Sequence, residues 1–190
     1  ISERLVISDL EEFSDNQKGY QIPIMKNLTL DYNKVTSIAI AGNSGSGKSY
    51  ALTYFLSLLR NISELIIVDP KFDTPSRWAR EHGIPVLHPQ KNRSKSDFVS
   101  EINENLSTCL NLIQQRQEIL YDKPDHKFEH LTIVIDEVLA LSEGVNKTIK
   151  DSFFSLLTQV SLLGRATSIH LLLVSQRFDY NTIPISVREQ

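Results

Sequence analysis

Apolar residues fall along this chain in two kinds of run. Short, nearly continuous runs occupy residues 35–41, 65–68, 131–135 and 169–174. Their length and their lack of alternation predict strands covered on both faces. Elsewhere apolar positions return every three or four residues. Phe98, Ile102, Leu106, Leu110, Ile113 and Leu120, with Gln117 in step, mark one helical stripe that Pro124 closes. Ile149, Phe153, Leu156, Val160 and Leu163 mark a second, and residues 50–59 read as a third helix. Residues 78–82 suit a short helix, 83–88 a turn and short strand, and 89–96 a polar, basic loop whose Ser96-Asp97 end is placed to cap the next helix. Residues 1–34 are mixed and polar, with apolar patches at 5–7 and 22–30 that would supply an edge strand or hairpin. Strands alternating with helices predict an α/β fold: a mainly parallel sheet with helices on both faces. Ligands then collect at the carboxyl ends of the strands, where all the motifs below are expected.

Composition narrows the class without naming it. The 190 residues, 41% hydrophobic and 23% charged, suffice for one α/β domain spanning 1–190, with 1–34 expected at its periphery. A net charge of −3 excludes a protein that coats nucleic acid through its overall charge, but leaves room for a local basic loop. The single cysteine, Cys109, rules out a disulfide framework and fits an intracellular setting. No stretch approaches the about 18 apolar residues of a membrane span, and no signal peptide is visible. Opening on Ile1 and closing on Gln190, the chain reads as part of a longer one, in which a membrane tether could lie.

The chemistry begins at residues 42–49, Gly-Asn-Ser-Gly-Ser-Gly-Lys-Ser, a complete G-x-x-x-x-G-K-[ST] loop between a predicted strand and a predicted helix. That context makes the pattern a phosphate cradle. Gly42, Gly45 and Gly47 let the backbone curl so that N–H groups converge on a nucleoside triphosphate, and the helix start adds free N–H groups of its own. The cradle comprises Gly42, Asn43, Ser44, Gly45, Ser46, Gly47, Lys48, Ser49 and Tyr50. Lys48 would reach the β- and γ-phosphates and Ser49 would ligate Mg²⁺.

About 90 residues on, the strand 131–135 runs into Asp136-Glu137, a Walker B arrangement. Asp136 would hold Mg²⁺, which prefers carboxylates plus retained waters, and Glu137 would polarise the attacking water. Paired acids mark ATPases with a built-in catalytic glutamate. A GTPase would need Asn-Lys-x-Asp, but Asn146-Lys147 is followed by Thr148-Ile149 and Asn33-Lys34 precedes the P-loop strand. Gln176, at the end of the fourth strand, is placed to sense the γ-phosphate if that strand lies between the two Walker strands. Arg165, just before the strand, is a candidate arginine finger acting on a neighbouring subunit's nucleotide. Polynucleotide phosphate could meet Lys91, Arg93 and Lys95, or Arg77 and Arg80 beside Trp78, but solvated surface charge accounts for them as well. Asp69 and Lys71 sit at a strand end with no chemical role that outweighs a structural one.

Three segments together resemble the FtsK/SpoIIIE motor domain of the HerA/FtsK group of DNA-pumping ATPases. They are 41–49; Ile67-Val-Asp-Pro-Lys71; and Ile133-Val-Ile-Asp-Glu137 followed by 164–177, where Gly-Arg-Ala-Thr-Ser-Ile-His leads into a strand ending in Gln-Arg. Ile183-Pro184 and Val187-Arg188 fit the same pattern, and the resemblance covers roughly residues 20–190. It implies a RecA-like P-loop core, ATP and Mg²⁺ as ligands, a homo-oligomeric ring, expected to be a hexamer, and translocation of double-stranded DNA in chromosome segregation or conjugative transfer. It gives Lys48, Ser49, Asp136, Glu137, Gln176 and Arg165 the roles argued above. Asn43-Ser44 and Val138-Leu139 depart from its usual P-loop and Walker B residues, and no winged-helix domain is present, so a divergent member from a conjugative or integrative element fits equally. A single-strand coupling or helicase-like motor, and an assembly ATPase of a secretion-type complex, remain the alternatives.

Overall fold

The computed structural model describes residues 4–43, 45 and 47–176. Ser44, Ser46 and the stretch from Arg177 onward, with Ile183, Pro184, Val187 and Arg188, lie outside the described residues. In chain order the elements are α1 (Leu10–Asp15), β1 (Gln21–Met25), β2 (Leu28–Asp31), β3 (Ser37–Ala41), α2 (Lys48–Leu59), β4 (Ser63–Val68), α3 (Thr74–Glu81), β5 (Val86–Leu87), α4 (Lys95–Asp122), β6 (His130–Ile135), α5 (Lys147–Leu163) and β7 (Ile169–Ser175). β1 and β2 pair as an antiparallel hairpin. The other five strands form one sheet in the order β3-β7-β6-β4-β5, and every neighbouring pair is parallel. β7 therefore lies between the P-loop strand β3 and the Walker B strand β6.

β6 and β7 are buried at every residue, which is why neither alternates in sequence. Their side chains divide between two cores. Leu131, Ile133 and Ile135, with Ile169, Leu171 and Leu173, pack against α4 and α5. Val134, Leu172 and Val174 face the opposite way, toward Leu52, Leu56 and Leu59 of α2 and Trp78 of α3. The hairpin closes this second core, because Ile22 and Tyr32 are completely enclosed there.

Two predicted details differ. Helix α4 starts at Lys95 rather than after Ser96-Asp97: Ser94 is the cap, its hydroxyl accepting from Asp97 N–H (3.0 Å) while the Asp97 carboxylate reaches back to Ser94 N–H (3.4 Å). On this helix Val99 and Cys109 join the buried stripe while Gln117 is exposed. On α5, Leu157 takes the buried place expected of Leu156, and Leu163 is exposed, because the stripe drifts around a straight helix with 3.6 residues per turn. Among the described residues no helix is long and apolar enough to cross a membrane.

Candidate functional site

The P-loop leaves β3 at its carboxyl end and delivers the chain into α2. Two of its glycines are required by conformation: Gly45 and Gly47 have φ of 79° and 90°, and among the described residues no atom beyond their chain neighbours lies within 4 Å of where a Cβ would stand on either. The loop is therefore open above its backbone, as a cradle for a ligand must be. Gly47 is also the N-cap of α2 and makes no side-chain cap bond, so the N–H groups of the first turn have no capping side chain. Gly42 N–H donates to Ser175 O (3.3 Å), carrying the β3–β7 ladder one step past the strand end and tying the loop's root to the strand that carries Gln176. Ser49, Tyr50 and Asn43 are exposed, and Ser44 and Ser46 fall outside the described residues.

The Walker B pair sits two strands away. Asp136 N–H donates to Val68 O (3.0 Å), so the β4–β6 ladder also extends past its end and fixes the acid's position. Glu137 has left-handed backbone (φ 52°, ψ 60°), an unusual conformation for a residue other than glycine, and caps a short 3₁₀ turn at Val138–Leu141. Its Oε1 lies 3.3 Å from Lys48 Nζ and 3.5 Å from Lys71 Nζ. The sequence-expected P-loop lysine and catalytic acid, 89 residues apart, thus touch each other.

Asp136 is pushed up to about 6. Burial is the first cause, the neighbouring carboxylates of Asp69 and Glu137 add to it, and Lys71 and Lys48 oppose it. Three carboxylates, Asp69, Asp136 and Glu137, gather here with two lysines, Lys48 and Lys71, and a divalent cation would offset the remaining negative charge. The open cradle, the capless helix start and the clustered carboxylates together fit a magnesium–triphosphate complex, for which Ser49 and Asp136 are the residues that would hold the metal. The Ser175 hydroxyl, buried at the β3–β7 junction without a hydrogen-bond partner among the described residues, adds a polar group to the same rim.

Asp69 and Lys71 were missed as partners of this site. Asp69 is completely buried, and its carboxylate accepts from the N–H groups of Lys71 (3.2 Å), Asp73 (2.8 Å) and Ser76 (3.1 Å) and from the Ser76 hydroxyl (2.6 Å). It organises the turn after β4 and the start of α3, and that turn presents Lys71 to Glu137. The strand-end Asp-Pro-Lys triplet was the signal available. What it lacked was any sign that β4 and β6 are neighbours.

Gln176 follows β7 and is exposed at the same end as the P-loop and Asp136. Arg165 does not join this group, which corrects the expectation that every motif lies at the carboxyl ends of the strands. It is exposed in a 3₁₀ turn, Arg165–Thr167, before the amino end of β7, separated from Gln176 by the whole strand. Gly164, just ahead of it, cannot be replaced without displacement: a Cβ there would stand 2.2 Å from Ile169 O and 2.8 Å from Val160 O.

The basic residues considered for DNA are partly committed within the chain. Arg77 pairs with Asp73 (2.8 Å), Arg93 pairs with Glu101, and Lys95 donates to Glu143 O.

No family model matches this chain. Over 176 residues it is 23% identical to the FtsK domain-containing protein YdcQ of Bacillus subtilis strain 168, covering 89% of this chain and 35% of that protein. The chain thus spans about a third of the length of the curated relative it matches. Among solved structures, the pCW3 conjugation coupling protein TcpA, in a monomer form with ATPγS, is similar with TM-score 0.75 and 21% identity over 100% of this chain and 56% of that one. The cytoplasmic domain of the type VII secretion ATPase EccC from Thermomonospora curvata is similar with TM-score 0.62 and 19% identity over 85% of this chain and 20% of the other. EssC (ATPases 2 and 3) from Geobacillus thermodenitrificans gives 0.64 and 14% over 99% and 37%. The likeness establishes the fold as the RecA-like P-loop core, and the resemblance to FtsK-type ATPases read from the three segments agrees with the curated relative.

Proposed function

We propose that this chain is the RecA-like motor unit, spanning 1–190, of an FtsK-type ATPase that hydrolyses ATP and moves DNA, double-stranded DNA being the favoured track. The observation that carries the reading is the contact of Lys48 with Glu137 beside a buried, charge-crowded Asp136. In the resting chain the P-loop lysine and the general base neutralise each other. An incoming triphosphate offers Lys48 a stronger anion, so Lys48 transfers to the β- and γ-phosphates while the N–H groups of the loop and of the first turn of α2 close around them. Release from Lys48 frees Glu137 to orient a water against the γ-phosphate. Gln176, on the strand between the two Walker strands, is in reach of the changed charge. Mg²⁺, held through Ser49 and Asp136, would draw charge from the phosphate oxygens.

The similar proteins include a conjugation coupling protein and type VII secretion ATPases, which favours a membrane-associated transfer system as the setting, with the parent assembled as a ring, expected to be a hexamer, and tethered through a segment outside this chain. Arg165, turned away from its own nucleotide end, is the residue such a ring would use between subunits.

Steady-state ATP hydrolysis by the protein with duplex DNA, single-stranded DNA or neither tests the reading, with Lys48→Ala as blank. Stimulation by duplex is expected. Preference for single strands would replace the duplex pump by a coupling motor, and indifference to both would replace it by a partner-regulated assembly ATPase. Arg165→Ala with unchanged turnover in the assembled protein would remove the finger.

A further inference from the structure

The Glu137 carboxylate has two cationic partners, and only one belongs to the phosphate cradle. Lys48 and Lys71 both approach Oε1, at 3.3 Å and 3.5 Å, so two ammonium groups share one oxygen. We propose that Lys71 is the positioning residue of Glu137, holding its carboxylate at the site when Lys48 leaves it for the phosphates of a bound nucleotide. The inference rests on the ATP-hydrolase reading above.

The geometry points to this from three sides. Lys71 is carried on a fixed arm: its N–H bonds the enclosed Asp69 carboxylate, which also anchors Asp73 and Ser76. Pro70 precedes it and Phe72, with φ 52°, follows it, so the turn is constrained on both sides. The arm starts beside its target, because β4 and β6 are adjacent with Val68 opposite Ile135, and Lys71 and Glu137 leave the same end of neighbouring strands. Finally, the Lys71 side chain is 55% exposed whereas that of Glu137 is 14% exposed. Lys71 therefore reaches in from the solvent side and holds no place in the P-loop that phosphate must take. A flexible ammonium is suited to keep one carboxylate oxygen while the other turns to water.

Two exchanges are then linked. Phosphate competes with Glu137 for Lys48, and Lys71 competes with Lys48 for Glu137. Without Lys71, Glu137 belongs to Lys48 alone, so phosphate must break a tighter pair and the base has nothing to hold it afterward.

The test measures affinity for a non-hydrolysable ATP analogue and steady-state hydrolysis in the wild type, Lys71→Met, Lys71→Arg, Glu137→Gln and the Lys71→Met/Glu137→Gln double variant. Lys71→Met should weaken analogue binding about 3–10-fold and lower kcat about ten-fold, with Lys71→Arg restoring most of both. In the Glu137→Gln background the effect of Lys71→Met on binding should vanish, since the carboxylate it acts through is gone. If the binding loss persists there, Lys71 acts on the nucleotide or the loop directly and the proposal is overturned. Wild-type binding and kcat in Lys71→Met would also overturn it. A wild type that binds the analogue but never hydrolyses ATP would refute the hydrolase reading, and the binding cycle would still decide the place of Lys71.

Discussion

The two ends of the central sheet bury polar groups in opposite ways. At the amino end, His130 Nδ1 lies 2.7 Å from His170 Nε2, and His170 Nδ1 lies 3.1 Å from Thr36 O. A carbonyl can only accept, so His170 Nδ1 carries the proton, His170 Nε2 accepts, and His130 Nδ1 donates to it. Tyr32 stacks on His170 at 4.1 Å and its hydroxyl meets Thr132, which in turn meets Ser63 (2.8 Å). His130 Nε2 is 3.0 Å from Asn33 Oδ1; with both rings neutral Nε2 can only accept, so the network requires the Asn33 amide turned over to present its NH2 there. Every one of these groups has a partner and none needs a charge. At the carboxyl end, by contrast, two lysines crowd one glutamate, a buried aspartate is pushed up to about 6, and the Ser175 hydroxyl has no partner among the described residues. The histidine–tyrosine network of the amino end is thus satisfied within the chain, although the Ser37 hydroxyl at the start of β3 is, like that of Ser175, buried without a partner among the described residues; what sets the carboxyl end apart is its concentration of charge.

The comparison breaks most visibly on chemistry. Lys48→Ala or Glu137→Gln should cut ATP hydrolysis by ~100-fold or more and leave the melting temperature nearly unchanged. Loss of both activity and fold would mean the carboxyl end is structural too. Next in size, His170→Ala should remove about 3 kcal/mol, or roughly 6–12 °C of melting temperature, by stranding His130 and Thr36 O, with analogue affinity intact once folded.

Acid should expose the same end. Burial first, then the neighbouring His130, hold His170 down at about 3 against an ordinary 6.5. The folded chain refuses a proton that the unfolded chain accepts. The contribution is therefore complete above pH 6.5 and is lost as pH falls toward 3, reaching about 2–3 kcal/mol at pH 4.5. Melting curves between pH 7 and 4.5 should show this loss, and His170→Asn should flatten it. The smallest effect has the opposite sign. Asp136, raised from 3.8 to about 6, favours the fold most below its ordinary value and least once ionised above 6. Asp136→Asn should therefore raise the neutral-pH melting temperature of the nucleotide-free chain by a few degrees, about 1–2 kcal/mol, while abolishing any further rise on adding Mg²⁺ and nucleotide.

The carboxyl end was largely legible because its motifs are contiguous: a Gly-rich loop between strand and helix, and two acids at a strand end, carry their context with them. Lys71 was not, because its meaning depends on β4 lying beside β6, and spacing along the chain does not give strand order. The amino end was illegible for the same reason. Tyr32 and Thr132 are 100 residues apart, His130 and Asn33 are 97 apart, and each histidine alone looks like an ordinary strand residue. The cap of α4 was misplaced by two residues because Ser94 and Ser96 are both capping types and only the reciprocal bond with Asp97 separates them.

β7 joins the two ends in one piece. Its seven residues, enclosed along their whole length, span about 20 Å, with Gln176 at one tip and Arg165 just beyond the other. Gly164 seats the base of this strut against the carbonyls of Val160 and Ile169 with no clearance for even a methyl group. One continuous, enclosed strand thus fixes the spacing between the nucleotide end of the sheet and the turn that carries Arg165.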